Sequence, residues 1–425
     1  MRDADAADWL SVAEARERIL NSVQPLAAEE VPLERAGGRI LAEDIVSPVD
    51  LPPWDNSAMD GFAVRSADVR GATAELPRTL RVVDDIPAGA FPSLPIGSGE
   101  AARIMTGAPV PEGADGVIRV EHTQAADTTV SILTDGDAGR NVRPRGGEVA
   151  AGDVVLRAGT RLGAAQSGLA AAVGRERLRV VRRPRVAVLA SGDELVELDR
   201  FDEVLEGRRI VSSNSYSLAA ALAEDGMLVR ALGIAADDPA ELRVRLEAAI
   251  GCDALITSAG VSVGEHAYLR SVLAEMGAEL LFWRVRARPG SALACGRVPA
   301  LGGVPWFGLP GNPVSTLVAY EVFVRPALLR MACHNAVFRP TVTAAVGEAC
   351  RASPAATHFL RARLERHGED WRVTPFAAQS SAILSGMAAA DALLVVPEGR
   401  GGWTAGERAP AVVLGGWPPA AEPGY

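Results

Sequence analysis

At 425 residues the chain exceeds one ordinary domain, and about 150 residues per domain suggests two to four. Apolar residues make up 48% of it, yet charges interrupt every run before it could span a bilayer, and MRDADAADWLSVAEARERIL lacks the basic start and apolar core of a secretory signal. A net charge of −10 argues against nucleic acid as the main partner, and Cys252, Cys295, Cys333 and Cys350 form no Cys-x-x-Cys pair that would suggest a zinc site or a disulfide framework. A cytoplasmic protein acting on small molecules is the expectation.

Residues 8–23 carry Leu10, Ala13, Ile19 and Val23 among charges, which predicts an amphipathic helix starting near Ser11. Pro48, Pro52 and Pro53 then break regular structure, and to about residue 140 short apolar runs separated by Gly, Pro, Asp and Thr predict a β-rich region. In the next stretch GDVVLRAGTRL reads as a hairpin and AAQSGLAAAVG as a helix. From residue 183, apolar strands alternate with helices: RPRVAVLAS, SSNSYSLAAALAEDG, MLVRALGIAADD, PAELRVRLEAAIG, CDALITSAG and HAYLRSVLAEMG. That alternation is the mark of a mostly parallel sheet with crossover helices. The segment NPVSTLVAYEVFVRPALLRMA predicts a further helix, and the last 90 or so residues return to short β runs.

Ligands of such sheets bind at the carboxyl ends of the strands. Three loops lie there: ASGDEL (190–195), SAGVSVGE (258–265) and GLPGNPVS (308–315). Small residues admit a ligand close to the backbone, and N–H groups at helix starts attract anions, so a phosphorylated ligand is expected. The bland reading of any one such turn is ordinary strand-to-helix geometry. Acidic residues share the region, and Asp237 and Asp238 can equally be helix caps. Oxygen ligation of Mg²⁺ is the functional alternative, with Glu194 and Glu265 the stronger choices. Arg284, Arg286 and Arg288 alternate in FWRVRARPG, so a continuous strand would put all three on one face. His122, His266, His334, His358 and His367 show no ligand spacing and read as surface or core residues.

Seven ordered stretches resemble the molybdopterin molybdotransferases, the molybdenum insertion enzymes related to the gephyrin E domain. They are PPWDNSAMDGFAV, RIMTGAPVPEGADGVI, NVRPRGGEVAAGD, VAVLASGDEL, AGVSVGE, FWRVRARPG and GLPGNPVS. The resemblance covers nearly the whole chain. It implies a multidomain α/β fold with an elongated protomer: a discontinuous helical linker domain (1–50 and 141–180), an inserted β-rich domain (51–140), a molybdopterin-binding α/β domain (181–333) and a C-terminal β-barrel (334–425). It also implies a homodimer whose sites draw on both subunits. There adenylylated molybdopterin and molybdate give molybdenum cofactor and AMP, assisted by Mg²⁺ or another divalent cation.

Carried over residue by residue, the resemblance gives catalytic roles to Asp60, Thr106, Arg143, Glu194, Glu265, Arg284 and Arg288. Ser258, Gly260, Ser262, Gly264, Pro310, Gly311, Asn312 and Ser315 would hold the substrate, and Glu194, Asp237, Asp238 and Glu148 would serve the metal. The sequence leaves open which of Asp237 and Asp238 points inward, and whether Ser381 or Ser385 approaches the site. Five positions depart from the family pattern. Ala259 replaces a family glycine, Ala267 a family aspartate and Ser291 a common lysine, while Arg284 and Arg288 stand for lysines in a chain whose 43 basic residues are all arginine. The alternatives are therefore a paralogue that binds or delivers the cofactor without catalysis, or an enzyme specialised for tungstate.

Overall fold

The computed structural model describes residues 9–259, 268–368 and 370–415. The chain divides into two compact units, one of residues 30–37 and 41–179, the other of residues 1–29, 38–40 and 180–425. Helix α1 (Val12–Ser22) begins where the Ser11 hydroxyl accepts the Glu14 N–H and the Glu14 carboxylate accepts the Ser11 N–H, a reciprocal cap. Its buried stripe, Val12, Ala15 and Ile19, belongs to the same core as Phe323 and Leu328. The helix expected in a linker domain with residues 141–180 is thus packed into the α/β domain, because its apolar face finds a partner helix there.

The smaller unit is built on β1 (Gly61–Val64), β2 (Arg78–Ile86), β3 (Glu100–Ile104), β4 (Gly116–Arg119), β5 (Thr123–Ala125) and β6 (Thr129–Ile132). They form one mixed sheet in the order β4-β1-β3-β2-β6-β5. Gly61 is required, since a Cβ there would lie 1.9 Å from the Ile118 carbonyl oxygen of β4. Buried Asp137 clasps the end of β4: it accepts the Arg119 Nε–H at 3.0 Å and meets His122 Nδ1 at 2.9 Å. Burial alone would raise its pKa, but these hydrogen bonds outweigh that and bring it down to about 2. The predicted hairpin in GDVVLRAGTRL does not form. Val154–Leu156 pairs antiparallel with Ile45–Val46, a partner more than a hundred residues away that local periodicity does not reveal. Helix α2 (Ala164–Ala172) follows.

From residue 185 the predicted alternation appears: β7 (Arg185–Ser191), α3 (Ser213–Glu224), β8 (Leu228–Ala235), α4 (Pro239–Glu247), β9 (Ala254–Ser258), α5 (Tyr268–Glu275), β10 (Glu279–Trp283), β11 (Ala287–Arg288), β12 (Ala294–Val298) and β13 (Val304–Leu309). The sheet order is β8-β7-β9-β13-β12-β10, with the first four strands parallel, β12 antiparallel to β13, and β10 antiparallel to β12. Alternate residues of β7 enter opposite cores: Val186 and Val188 join Leu218 and Phe307, while Ala187 and Leu189 join Leu242 and Trp306. Helix α6 (Pro313–Ala319) passes through a π-helical turn, Tyr320–Val324, into α7 (Arg325–Met331). Here the Tyr320 hydroxyl donates to Asp225 at 2.7 Å and the Arg325 Nε–H does so at 2.9 Å.

The final strands, β14 (Thr341–Val346), β15 (Thr357–His367), β16 (Asp370–Pro375), β17 (Ala392–Val396) and β18 (Arg408–Val413), close in the order β15-β16-β14-β18-β17 and back to β15. Closure removes free strand edges. β11 adds to this barrel parallel to β15, with Arg288 opposite His358. The fold is therefore the expected multidomain α/β class with a C-terminal barrel. Among the described residues no helix is long and apolar enough to cross a membrane.

Replacing Ile19, which is fully buried, with Ala is expected to cost about 3 kcal/mol in urea unfolding. Asp137 is expected to contribute about 2 kcal/mol at neutral pH, because its folded pKa lies below its unfolded value. That stability is complete above about pH 4 and lost as pH falls towards 2; Asp137→Asn should remove it and flatten the acid limb of the unfolding curve.

Candidate active site

The parallel ladder fixes where the strand-end loops meet. Ala190 of β7 pairs with Ser258 of β9, and Ser258 with Leu309 of β13, while Ser191 pairs with Ala235 of β8. One side chain joins two of these loops: the Asn214 Nδ2 amide, on the first turn of α3, donates to the Ser258 hydroxyl and to the Gly311 carbonyl, each at 2.8 Å. The Asn214 Oδ1 and Ser191 Oγ atoms are buried, and no hydrogen bond reaches either among the described residues. Ala259 sits at φ 71°, a left-handed backbone that glycine accepts freely and alanine only at a cost of about 1 kcal/mol. The departure from the family glycine has therefore left the backbone in a glycine conformation. A Cβ on Gly311 would lie 3.4 Å from the Ala259 Cβ, so the two turns are close-packed.

Carboxylates gather beside this ladder. Glu194 folds back towards Gly192, whose φ of 147° is a backbone conformation that favours glycine. Asp193 accepts the Asp237 N–H at 3.1 Å and ties the loop after β7 to the one after β8. Asp238 accepts the Glu241 N–H at 2.8 Å and caps α4 ahead of Pro239. This is the capping reading that the sequence offered for Asp238. Glu148 lies in the other unit. Among the described residues no three His, Cys, Asp or Glu side chains gather into a metal cluster. Gly260, Ser262, Gly264 and Glu265, with Ala267, fall outside the described residues.

The three alternating arginines do not share a face. Arg284 adopts φ 71°, which ends β10 and turns the chain. Its guanidinium stacks 5.0 Å from the centre of the Trp9 ring. Arg286 pairs with Glu398 at 2.7 Å and with the Trp9 carbonyl. Arg288 lines a cavity of about 470 Å³ between the α/β domain and the barrel, together with Ser291, Pro310, Asn312, Ser315 and His358. Gln379 and Ser381 complete the barrel side, whereas Ser385 lies within the short helix Leu384–Ala388 and is not part of the lining. The loop carrying them is held by Arg361, 1% exposed, whose guanidinium donates to the Ile383 and Ala378 carbonyls at 2.8 and 3.0 Å. Ser381 in turn accepts the Val314 N–H of α6 at 3.1 Å.

The sequence reading missed Asn214, Arg361, Gln379 and His358. Only the Asn in SSNSYS, polar at a helix start facing the ligand end of the sheet, offered a signal.

In the smaller unit, Asp60 accepts both the Thr106 N–H at 2.7 Å and its hydroxyl at 2.8 Å. The backbone hydrogen bond foremost, then the hydroxyl, lowers its pKa. Arg143 and Glu148 line a separate cavity of about 580 Å³ with Asn56, a buried residue whose Oδ1 accepts no hydrogen bond among the described residues.

Comparison with known proteins assigns this arrangement. Residues 10–174 match the MoeA N-terminal region (domain I and II), residues 187–330 a probable molybdopterin binding domain, and residues 343–414 the MoeA C-terminal region (domain IV). A molybdopterin molybdenumtransferase of Staphylococcus aureus is 35% identical over 398 residues, 93% of this chain and 94% of that one. The chain belongs to the molybdopterin molybdenumtransferase family. A Nostoc relative of the same name is 41% identical over 326 residues, 76% of this chain and 74% of its own. The crystal structure of a molybdopterin biosynthesis moeA protein from Pyrococcus horikoshii superposes with a TM-score of 0.81 at 28% identity, covering 96% of this chain and 100% of that one. Family membership accounts for the order of the motifs; the Asn214 tie and the Arg361 anchor explain how this chain holds them in place.

Asn214→Ala is expected to lower stability by about 2 kcal/mol, read as a fall in Tm, because two hydrogen bonds are lost and Ser258 loses a donor.

Proposed function

We propose that this protein inserts molybdate into adenylylated molybdopterin, giving molybdenum cofactor and releasing AMP. The observation that carries the reading is the cavity beside the strand-end loops, where Arg288 stands among neutral donors from Ser291, Asn312, Ser315 and Ser381. A guanidinium with surrounding hydroxyls and amides suits a tetrahedral oxyanion. The loops at Ser258 and at Pro310–Gly311, drawn together by Asn214, offer a small-residue surface for the pterin and its phosphates.

A divalent cation beside the phosphates is part of this proposal. Mg²⁺ takes one or two carboxylates alongside phosphate and water. Glu194 and Asp237, at the ends of β7 and β8, supply hard oxygen donors of that kind. When bound there, the ion would neutralise charge on the phosphoanhydride. The chain itself orients the reactants. Arg288 would hold molybdate while the two dithiolene sulfurs of the pterin replace two of its oxygens, which leave as water, and one water attacks phosphorus as the phosphoanhydride P–O bond breaks and AMP leaves. Arg284, whose guanidinium carbon lies 5.0 Å from the centre of the Trp9 ring, is proposed as a second cation for developing negative charge. In the smaller unit, Asp60 with Thr106, and separately Arg143 with Glu148, are the residues to which the family resemblance gives further roles. The protein is further proposed to act as a cytoplasmic homodimer, which a mass measurement in solution would test.

Purified protein incubated with Mg²⁺, molybdate and adenylylated molybdopterin should release AMP, measured by chromatography; release no greater than the blank would refute the proposal. Arg288→Ala should raise the molybdate KM at least tenfold, as the loss of a charge-assisted hydrogen bond of about 1.5–3 kcal/mol requires.

A further inference from the structure

His358 reads from sequence as an ordinary surface or core histidine. In the structure it lies on β15, opposite Arg288 in the β11–β15 pairing, and lines the cavity between barrel and α/β domain. Its ring has one defined partner: the Ser353 backbone N–H donates to Nε2 at 3.2 Å. A backbone N–H can only donate, so the nitrogen it meets carries no proton. The neutral ring must then bear its hydrogen on Nδ1. Burial, and then the Arg288 guanidinium, hold the His358 pKa below the usual histidine value, so the ring is neutral at pH 7.

We propose that His358 is a specificity-determining residue of this cavity, donating its Nδ1–H to a tetrahedral oxyanion that Arg288 binds by charge. The proposal rests on the reading of the cavity as the oxyanion site. A neutral donor next to a guanidinium adds a directed hydrogen bond without a second positive charge. It also has a fixed direction: the Ser353 tether holds the tautomer, and the pairing with Arg288 holds the ring beside the cation. Buried Arg361, whose donors reach the Ala378 and Ile383 carbonyls, keeps the opposite wall at Gln379 and Ser381 in place.

Two substitutions separate donation from tethering. His358→Asn keeps a donor near the Nδ1 position and loses the acceptor for Ser353. His358→Gln keeps an acceptor near the Nε2 position and loses the Nδ1 donor. Molybdate binding to the purified full-length protein, measured by calorimetry, is the readout, with Arg288→Ala as control. His358→Gln should weaken binding about tenfold or more, the scale of one hydrogen bond to a charged group, while His358→Asn stays within about threefold of the parent. The reverse order would show that His358 serves only to hold the 353–358 turn, and equal losses in both variants would show a packing role; either overturns the proposal. If Arg288→Ala weakens binding and His358→Gln does not, the proposal fails and the cavity reading stands. If neither changes it, molybdate binds elsewhere and both fail.

Discussion

The register of the four parallel strands β8, β7, β9 and β13 is the constraint on which the rest depends. A parallel ladder shifted by one residue would send every side chain to the opposite face. In this register Ala190, Ser258 and Leu309 stand side by side, so the loops that follow open at one edge. The two apolar cores on either face hold the register, since Val186 and Val188 must face one and Ala187 and Leu189 the other. Everything at the ligand end inherits its position from that packing.

Polar ties then refine what the ladder sets. Asn214 draws the turn at Ser258 to the turn at Gly311, and Asp193 draws the loop after β7 to Asp237. On the far wall Arg361 is buried without recourse to a carboxylate; its partners are carbonyl oxygens and the Gln379 amide oxygen. Burying a guanidinium is costly unless its donors are satisfied, so its placement makes the 378–383 loop a rigid part of the cavity. The absence of lysine adds a local consequence. Arginine serves the contact with aromatic faces that either basic residue can make, and the Arg284 guanidinium carbon lies 5.0 Å from the centre of the Trp9 ring.

The cap residues, the alternation of strands and helices, and the loops at strand ends were all legible, because each depends on neighbours within a few positions. Asp238 before Pro239 is an example: the capping signature lies within four residues, and the structure uses it as a cap. The arginine triplet shows the limit. Period-two spacing implies one face only while the strand continues, and the left-handed backbone at Arg284 ends it. The 152–162 segment failed as a hairpin for a related reason, since the pairing partner of Val154–Leu156 is Ile45–Val46, far away in sequence.

By itself the sequence determined the family, through motifs whose order spans the chain, and the fold class, through hydrophobic periodicity and turn chemistry. It also determined the chemical character of the site, because small residues, carboxylates and arginines at strand ends can serve few ligands other than phosphorylated or oxyanionic ones. Only the tertiary structure decided which of these residues meet. It placed α1 in the α/β core, chose Ser381 over Ser385 for the cavity, set His358 beside Arg288, and sent Arg284, Arg286 and Arg288 to three different partners. The physical reason is common to all four: each is a contact between segments distant in the chain, fixed by packing and buried hydrogen bonds that local propensity does not encode.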